Sequence, residues 1–416
     1  MISVHRECIS TGGTQITLSK YLITMIDLSI MDRNKGIMEE ENITIFTKYG
    51  GGQDRAAIEG IAQEASNRGY DVTFTRDFST PADIGIYARY RPEMNSKLSV
   101  IMFHGIDDAY NQTYWPGPDW GQFDIGLLPG KRAVENWKKQ SHHPEAKPRL
   151  GAFEVGWPKA DRVKSTEFEQ SVDSVASELG LHSEHVILYA PTSEDHDKIH
   201  QFVDHCGEVA DKLLIKHAPY EQLAYTDEYD SLEELYAEYD SDEDIHIFDP
   251  TDDIMICLAL ADIVVSDQSS VLNEAILTDT IPISVSDWPI RNDSTASEKD
   301  FRTDFVLSTE LAQLAHRIRE VYDEYEDVIA KLERERELHY SFLGESSVVT
   351  MDLIKSVVEG TQYPVHPVEP KSSPPLYGLY YRLRRKLVNT MPNSAIQRLE
   401  NSGIHEVEDT IRRIVR

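Results

Sequence analysis

The chain has 416 residues, 40% of them hydrophobic and 9% aromatic, which is enough apolar material for two domains with buried cores. Acidic residues outnumber basic ones by 72 to 41, and this formal net charge of −31 argues against general nucleic-acid binding. No run approaches the ~20 apolar residues that span a bilayer. Three distant cysteines form neither a disulfide framework nor a zinc-ligand spacing. We therefore predict a cytoplasmic protein. Its dispersed acidity is similar to that of halophile proteins, although an acidic surface without further meaning is the simpler interpretation.

The first half of the chain alternates between short apolar runs and amphipathic stretches. We predict strands at 42–48, 71–75, 83–87, 98–104 and 123–128, and helices at 53–67 and 131–139. Alternation at this spacing is typical of a parallel α/β sheet. Residues 1–37 precede the first strand as an extension, and Met38 is an alternative start.

The same pattern restarts near Val186. Strands are predicted at 186–189, 212–216, 245–248, 263–265 and 281–285, and helices at 195–206, 231–239, 254–260, 271–277, 309–340 and 346–358, the last able to return toward the first domain. The chain then divides into an extension (1–37), an N-terminal Rossmann-like domain (38–165), a C-terminal Rossmann-like domain (166–360), a proline-rich linker (361–375) and a tail (376–416). A ligand between two such sheets would lie past the strand ends.

Residues 261–285 read as strand, polar turn, helix and strand. Ser269 and Ser270 stand at the predicted mouth of a helix, where free N–H groups and hydroxyls can bind an anion. Glu274, one turn inside, could accept hydrogen bonds from ribose hydroxyls. The alternative is an ordinary N-cap, which satisfies only the helix's own N–H groups.

The tail reverses the charge of the chain. Within residues 376–391, Arg382, Arg384, Arg385 and Lys386 alternate with Leu, Tyr and Val. A basic amphipathic helix of this kind favours contact with an anionic membrane surface, so the protein could be peripheral on the inner face of the cell membrane. Docking on the protein's own acidic body remains equally open.

Five pieces in fixed order resemble the CDP-glycerol glycerophosphotransferase family: FHGIDD (103–108), VGWPKAD (155–161), LYAPTSED (188–195), IKHAP (215–219) and SDQSSVLNEA (266–275). The resemblance covers about residues 42–360. It implies the GT-B fold, with two Rossmann-like domains facing a cleft. It also implies transfer of an alditol phosphate from a CDP-activated donor to a hydroxyl of a surface polymer or lipid-linked glycan.

The resemblance also implies roles for individual residues. The proton of the attacking hydroxyl needs a base, and the phosphates need cations or N–H groups. His104 would be that base, oriented by Asp107 or Asp108, with His217 as a further catalytic candidate. The donor would be bound by six residues, namely Thr192, Lys216, Asp267, Ser269, Ser270 and Glu274. No cofactor and no essential metal are expected.

Two positions depart from the family pattern. Ala218 stands where a histidine is expected, with His217 one place early, and Gln268 replaces the usual tyrosine. On a strand a shift of one residue points a side chain to the opposite face. Two alternatives therefore stay open: another GT-B enzyme, such as a nucleotide-sugar transferase or a UDP-N-acetylglucosamine 2-epimerase-like protein, or a degenerate nucleotide-binding protein without activity.

Overall fold

The fold consists of two parallel six-stranded sheets, each flanked by helices. The computed structural model describes residues 42–47, 53–89, 94–102, 120–181, 185–192, 194, 197–218, 232–239, 241–267, 269–288 and 305–372. The predicted extension and the basic tail lie outside these ranges, as do His104, Asp107, Gln268 and Pro219.

The first sheet has the strand order β2-β1-β3-β4-β5-β6. Its strands are β1 (Asn42–Phe46), β2 (Asp71–Thr75), β3 (Ala82–Tyr87), β4 (Ser96–Ile101), β5 (Ile125–Leu128) and β6 (Gly151–Glu154). Four of them are almost wholly buried and rich in Ile, Val and Leu, as expected for strands covered on both faces. Strand β6 was not among the strands predicted from the sequence.

The second sheet has the order β12-β11-β10-β7-β8-β9. Its strands are β7 (Val186–Tyr189), β8 (Lys212–Ile215), β9 (Ile245–Ile247), β10 (Ile263–Ser266), β11 (Ile281–Val285) and β12 (Leu307–Thr309). Counted from β7, this is the dinucleotide-binding order 3-2-1-4-5-6. The direction of strand succession reverses between β7 and β10, which are hydrogen-bonded neighbours. A ligand is expected at the carboxyl ends of these two strands.

The helices are named in chain order. They are α1 (Gln53–Asn67), α2 (Lys131–Gln140), α3 (Pro158–Asp161), α4 (Thr166–Leu179), α5 (Lys198–Cys206), α6 (Leu232–Ala237), α7 (Ile254–Ala259), α8 (Val271–Glu274), α9 (Leu314–Asp323), α10 (Tyr325–His339) and α11 (Ser346–Glu359). Two predictions needed correction. The helix expected at 271–277 is the short α8 followed by a 3-10 turn, and the long helix expected at 309–340 begins as β12 and is broken at Glu324.

The C-terminal helices tie the two sheets together. Helix α11 packs against α1 and α3 of the first domain, while α10 contacts β11 of the second. Beyond α11, Pro367 forms a β-bridge to Phe153, and the Val368 N–H donates to the Ala152 carbonyl, so this segment lies along the edge strand β6. No helix within the described ranges is long and apolar enough to cross a membrane.

Candidate functional site

Two polar turns meet at the carboxyl ends of β7 and β10. Asp267 follows β10 directly, and its Oδ1 accepts the backbone N–H of Thr192, which follows β7, at 2.9 Å. The Ser266 hydroxyl donates to the Ala190 carbonyl at 2.6 Å, and Ser284 from β11 donates to the Asp267 carbonyl at 2.8 Å. Thr192 of the first turn and Asp267 of the second, 75 residues apart in sequence, therefore hold the two turns together as one platform.

A buried ion pair lies beneath this platform. Lys198 Nζ donates to Asp267 Oδ2 at 3.0 Å, and both side chains are fully buried. Lys198 is the first residue of α5, so the pair fixes the start of that helix against the Asp267 turn. Asp267 was predicted to bind the donor. In this geometry both of its carboxylate oxygens bond to protein, and the side chain would act on a ligand through the turns that it joins.

A second buried network surrounds His217. Its Nε2 lies 2.9 Å from Glu194 Oε2, and its Nδ1 lies 2.7 Å from the Tyr236 hydroxyl. The other donors to Glu194 are the Tyr189 hydroxyl at 2.7 Å and the Ile199 N–H at 3.1 Å. Both ring nitrogens of His217 are thus occupied by protein groups, and the ring is only 1% exposed. His217, which follows β8, is thus linked to α6 through Tyr236 and to β7 through Glu194 and Tyr189. Ala218, the next residue, is half-buried.

Lys216 is also buried, and its ammonium donates to the carbonyls of His217 at 2.7 Å and Pro250 at 2.8 Å. Burial lowers the pKa of Lys216, although the nearby charges, of which Cys257 and Asp252 contribute most, act in the opposite direction. Two backbone acceptors leave one of its three N–H groups for a further partner. The predicted role of Lys216 as a diphosphate ligand depends on that remaining donor.

The serine turn is only partly a helix cap. Ser269 Oγ accepts the Val271 N–H at a long 3.4 Å, whereas Ser270 at the N-cap position makes no capping bond with its side chain. The Thr192 hydroxyl is buried and has no hydrogen-bond partner among the described residues. A buried unpaired hydroxyl is costly unless something binds it. The Thr192 hydroxyl, predicted to bind the donor, is therefore available to a further partner.

Glu274 faces a cation from the first domain. Its Oε2 accepts from Lys159 Nζ at 2.5 Å, and the two side chains are 7% and 14% exposed. Lys159 belongs to the GWPK motif, so the contact joins two motifs that are 115 residues apart in sequence. The sequence analysis had not singled out Lys159, Lys198 or Glu194, because nothing local in the sequence identifies their partners.

The structure brings Thr192, Lys216, His217, Asp267, Ser269, Ser270 and Glu274 to one edge of the second sheet, while His104 and Asp107 lie outside the described residues. Strand β4, which precedes His104, ends at Ile101, and the described chain continues to Met102. Within the described part of the chain, no three His, Cys, Asp or Glu residues could hold a metal ion together.

Two Rossmann-like sheets, joined by crossing C-terminal helices and with a polar site at the switch point of the second, define the GT-B fold. Residues 146–289 match the model of the family described as CDP-glycerol:poly(glycerophosphate) glycerophosphotransferase. Four of the five motifs lie within this segment, and the resemblance that they carry is confirmed by the match.

Solved structures agree on the fold. A histidine-to-alanine variant of the wall teichoic acid polymerase TagF is similar to 83% of this chain and 97% of its own, with 14% identity and a TM-score of 0.55. A TagF variant soaked with CDPG has the same identity and coverage and a TM-score of 0.52. An MnaA–UDP structure from S. aureus has 10% identity over 80% of this chain and 99% of its own, with a TM-score of 0.50. No curated protein matches the sequence.

Proposed function

We propose that the protein transfers an alditol phosphate, of the glycerol phosphate type, from a CDP-activated donor to a hydroxyl of a cell-surface polymer or lipid-linked glycan. The observation that carries the proposal is the platform of Thr192, Ser269 and Ser270 at the switch point of the second sheet, inside the segment that matches the family. The phosphates of a nucleotide suit such a site, because the hydroxyls of these three residues belong to turns at the carboxyl ends of the strands.

The proposed reaction is a phosphoryl transfer. The acceptor oxygen attacks the β-phosphorus, the bond from that phosphorus to the bridging oxygen breaks, and CMP leaves with the electron pair. His104 takes the proton of the acceptor hydroxyl, and Asp107 orients its ring. Thr192, Lys216, Ser269 and Ser270 offset the charge on the phosphates, while Glu274 holds the ribose. His217, enclosed by Glu194 and Tyr236, supports the donor site from behind the Lys216 turn.

A nucleotide panel tests the donor class. Thermal unfolding is followed with CMP, CDP, CDP-glycerol, UDP, UDP-sugars and GDP-sugars, in low-salt buffer and in molar KCl. A ligand that binds only the folded protein raises the Tm by mass action. We expect selective stabilisation by the cytidine compounds. Selective stabilisation by UDP compounds would instead assign a nucleotide-sugar enzyme, and no shift with any nucleotide would indicate a protein without donor binding. A rise of Tm in KCl alone would support a halophilic origin.

His104→Ala tests the catalytic base. CMP release from CDP-glycerol in the presence of an acceptor should fall to background, while the Tm shift with CMP stays close to that of the wild type. The matched control is His316→Ala, because His316 lies on α9 with 68% of its side chain exposed. Turnover of the His104 variant at the wild-type rate would remove this residue from the mechanism.

We further propose that the protein works at the cytoplasmic face of the membrane, with the basic segment 376–391 on the anionic surface. Support comes from the charge reversal of the tail, since each basic residue near such a surface contributes about 1 kcal/mol. Deletion of residues 376–416 should reduce co-sedimentation with vesicles that contain an anionic lipid and leave the low binding to neutral vesicles unchanged. Equal binding by both chains would refute the membrane role of the tail.

A further inference from the structure

Residues 156–164, the junction segment, connect the first domain to three elements at once. Lys159 contacts Glu274 at the end of α8, and Asp161 accepts the backbone N–H groups of Ser346 and Ser347 at 2.9 and 2.7 Å, at the start of α11. Arg162 forms an ion pair with Asp253, the N-cap of α7. Three charged side chains within four positions thus point to three different partners.

The backbone of this segment is held firmly. Gly156 has a φ of +93°, and a Cβ at this position would overlap the Ser341 carbonyl oxygen, so the turn requires glycine. Trp157 is 1% exposed. On the opposite side, the Tyr340 hydroxyl donates to the Asn273 carbonyl at 2.8 Å, which fixes the residue before Glu274. The backbone next to Lys159 and the backbone next to Glu274 are therefore both fixed by contacts with neighbouring residues.

From this geometry we infer that Lys159 is a positioning residue of the donor site, supplied by the first domain, which holds the Glu274 carboxylate for the ribose of the nucleotide. The inference rests on the proposed function in that it takes Glu274 as the ribose ligand. Lys159 occupies Oε2 of Glu274, and Oε1 has no hydrogen bond to any described residue. An ionised carboxylate has room for several donors, so the free oxygen can accept ribose hydroxyls while the other is anchored.

If the Lys159–Glu274 pair served only to attach the junction segment to the second domain, it would duplicate other contacts. Arg162–Asp253 already joins the same segment to the second domain, and Asp161 already anchors it to α11. The Lys159–Glu274 pair differs from these contacts in two ways. Glu274 lies next to the nucleotide platform, and both side chains of the pair are largely buried. Truncation of one partner of such a pair affects the other charge directly, because water cannot replace the lost partner. The junction segment would thus link donor binding to the position of the first domain.

The test compares dissociation constants by isothermal titration calorimetry for wild type, Lys159→Met, Glu274→Gln, the double variant and Arg162→Met. The titrant is CDP, or UDP if the panel selects uridine. We expect Kd to rise about tenfold or more for Lys159→Met, equivalent to about 1.4 kcal/mol. Arg162→Met, which removes a half-exposed ion pair of the same segment, should stay within about twofold.

The double variant gives the decisive comparison. If Lys159 acts through Glu274, the double variant should bind no more weakly than Glu274→Gln alone. The inference would be overturned if the increase in Kd of the double variant equalled the product of the two single increases, or if Lys159→Met bound the nucleotide with wild-type affinity. Lys159→Arg keeps the charge and should restore most of the affinity. If Lys159→Met does not fold, Lys159→Gln replaces it with the same expected direction.

The outcome separates this inference from the proposed function. Wild-type binding of UDP rather than CDP would refute the cytidine donor, yet the same comparison of variants would still decide the role of Lys159. If the wild type binds neither nucleotide, both fall.

Discussion

The buried pair of Lys198 and Asp267 allows a quantitative prediction. Replacement of Lys198 by Met leaves the Asp267 carboxylate fully buried, with the Thr192 N–H at 2.9 Å and the Ser266 hydroxyl at 3.4 Å as its remaining partners. Removal of one partner from a buried ion pair costs about 3–5 kcal/mol, because the remaining charge is neither hydrated nor paired. For a domain of 150–250 residues, each kcal/mol lowers the Tm by roughly 2–4 °C, which gives a decrease of about 6–20 °C.

A double variant separates charge from packing. In Lys198→Met/Asp267→Asn the amide oxygen can still accept the Thr192 N–H, but no charge is buried, so we expect most of the lost stability to return. The assay is urea unfolding followed by circular dichroism, with and without saturating CMP. Because the chain has two domains, midpoints are compared transition by transition. The reasoning is refuted if Lys198→Met loses less than about 1 kcal/mol, the value typical of an exposed pair.

Two further substitutions test single groups. Thr192→Val removes a buried hydroxyl that has no partner in the described structure, so the Tm without ligand should not fall. Kd for CMP should rise about two- to tenfold, equivalent to one hydrogen bond of about 0.5–1.5 kcal/mol, and unchanged affinity would exclude this hydroxyl from the site. His339, at the end of α10, is buried, and burial together with the charge of Arg132 lowers its pKa to about 3. Because the unfolded chain binds the proton near pH 6.5, the contribution of this group is complete above that pH and declines as the pH falls toward 3. At pH 5 the loss that follows from this pKa is about 2 kcal/mol, so His339→Gln should show a smaller difference between pH 7.5 and pH 5 in urea unfolding. An equal difference in both proteins would contradict the assignment.

Most of the fold could be read from hydrophobic periodicity. The helix predicted at 53–67 and the strands predicted at 71–75, 186–189 and 281–285 match the observed bounds, because each is a clear apolar run or an amphipathic stretch between polar breaks. The failures have local causes. Strand β12 is three residues long and stands directly before a helical stretch, so it was not predicted and its last residue, Thr309, was assigned to the helix.

The candidate site was only partly predictable. Thr192 and Ser270 belong to turns that follow apolar strands, and such turns can be recognised one at a time. The partners of Asp267 and Glu274 could not be identified in this way. Lys198 meets Asp267 only once the second domain has folded, and Lys159 meets Glu274 only once the two domains are together. His217 was predicted from its motif, but its surroundings were not. Only the fold shows that both ring nitrogens bond to protein groups, and the catalytic role stays a prediction.

The segment that follows α11 also bears on how the protein behaves at high concentration. An uncovered edge strand presents a row of free N–H and C=O groups to which a second chain can add, and this is a common start of aggregation. Here residues 367–368 occupy the edge of β6, and Pro367 has no N–H with which to extend the pairing. The proline-rich stretch therefore ends the first sheet, and chains that lack it would expose a strand able to recruit copies of itself.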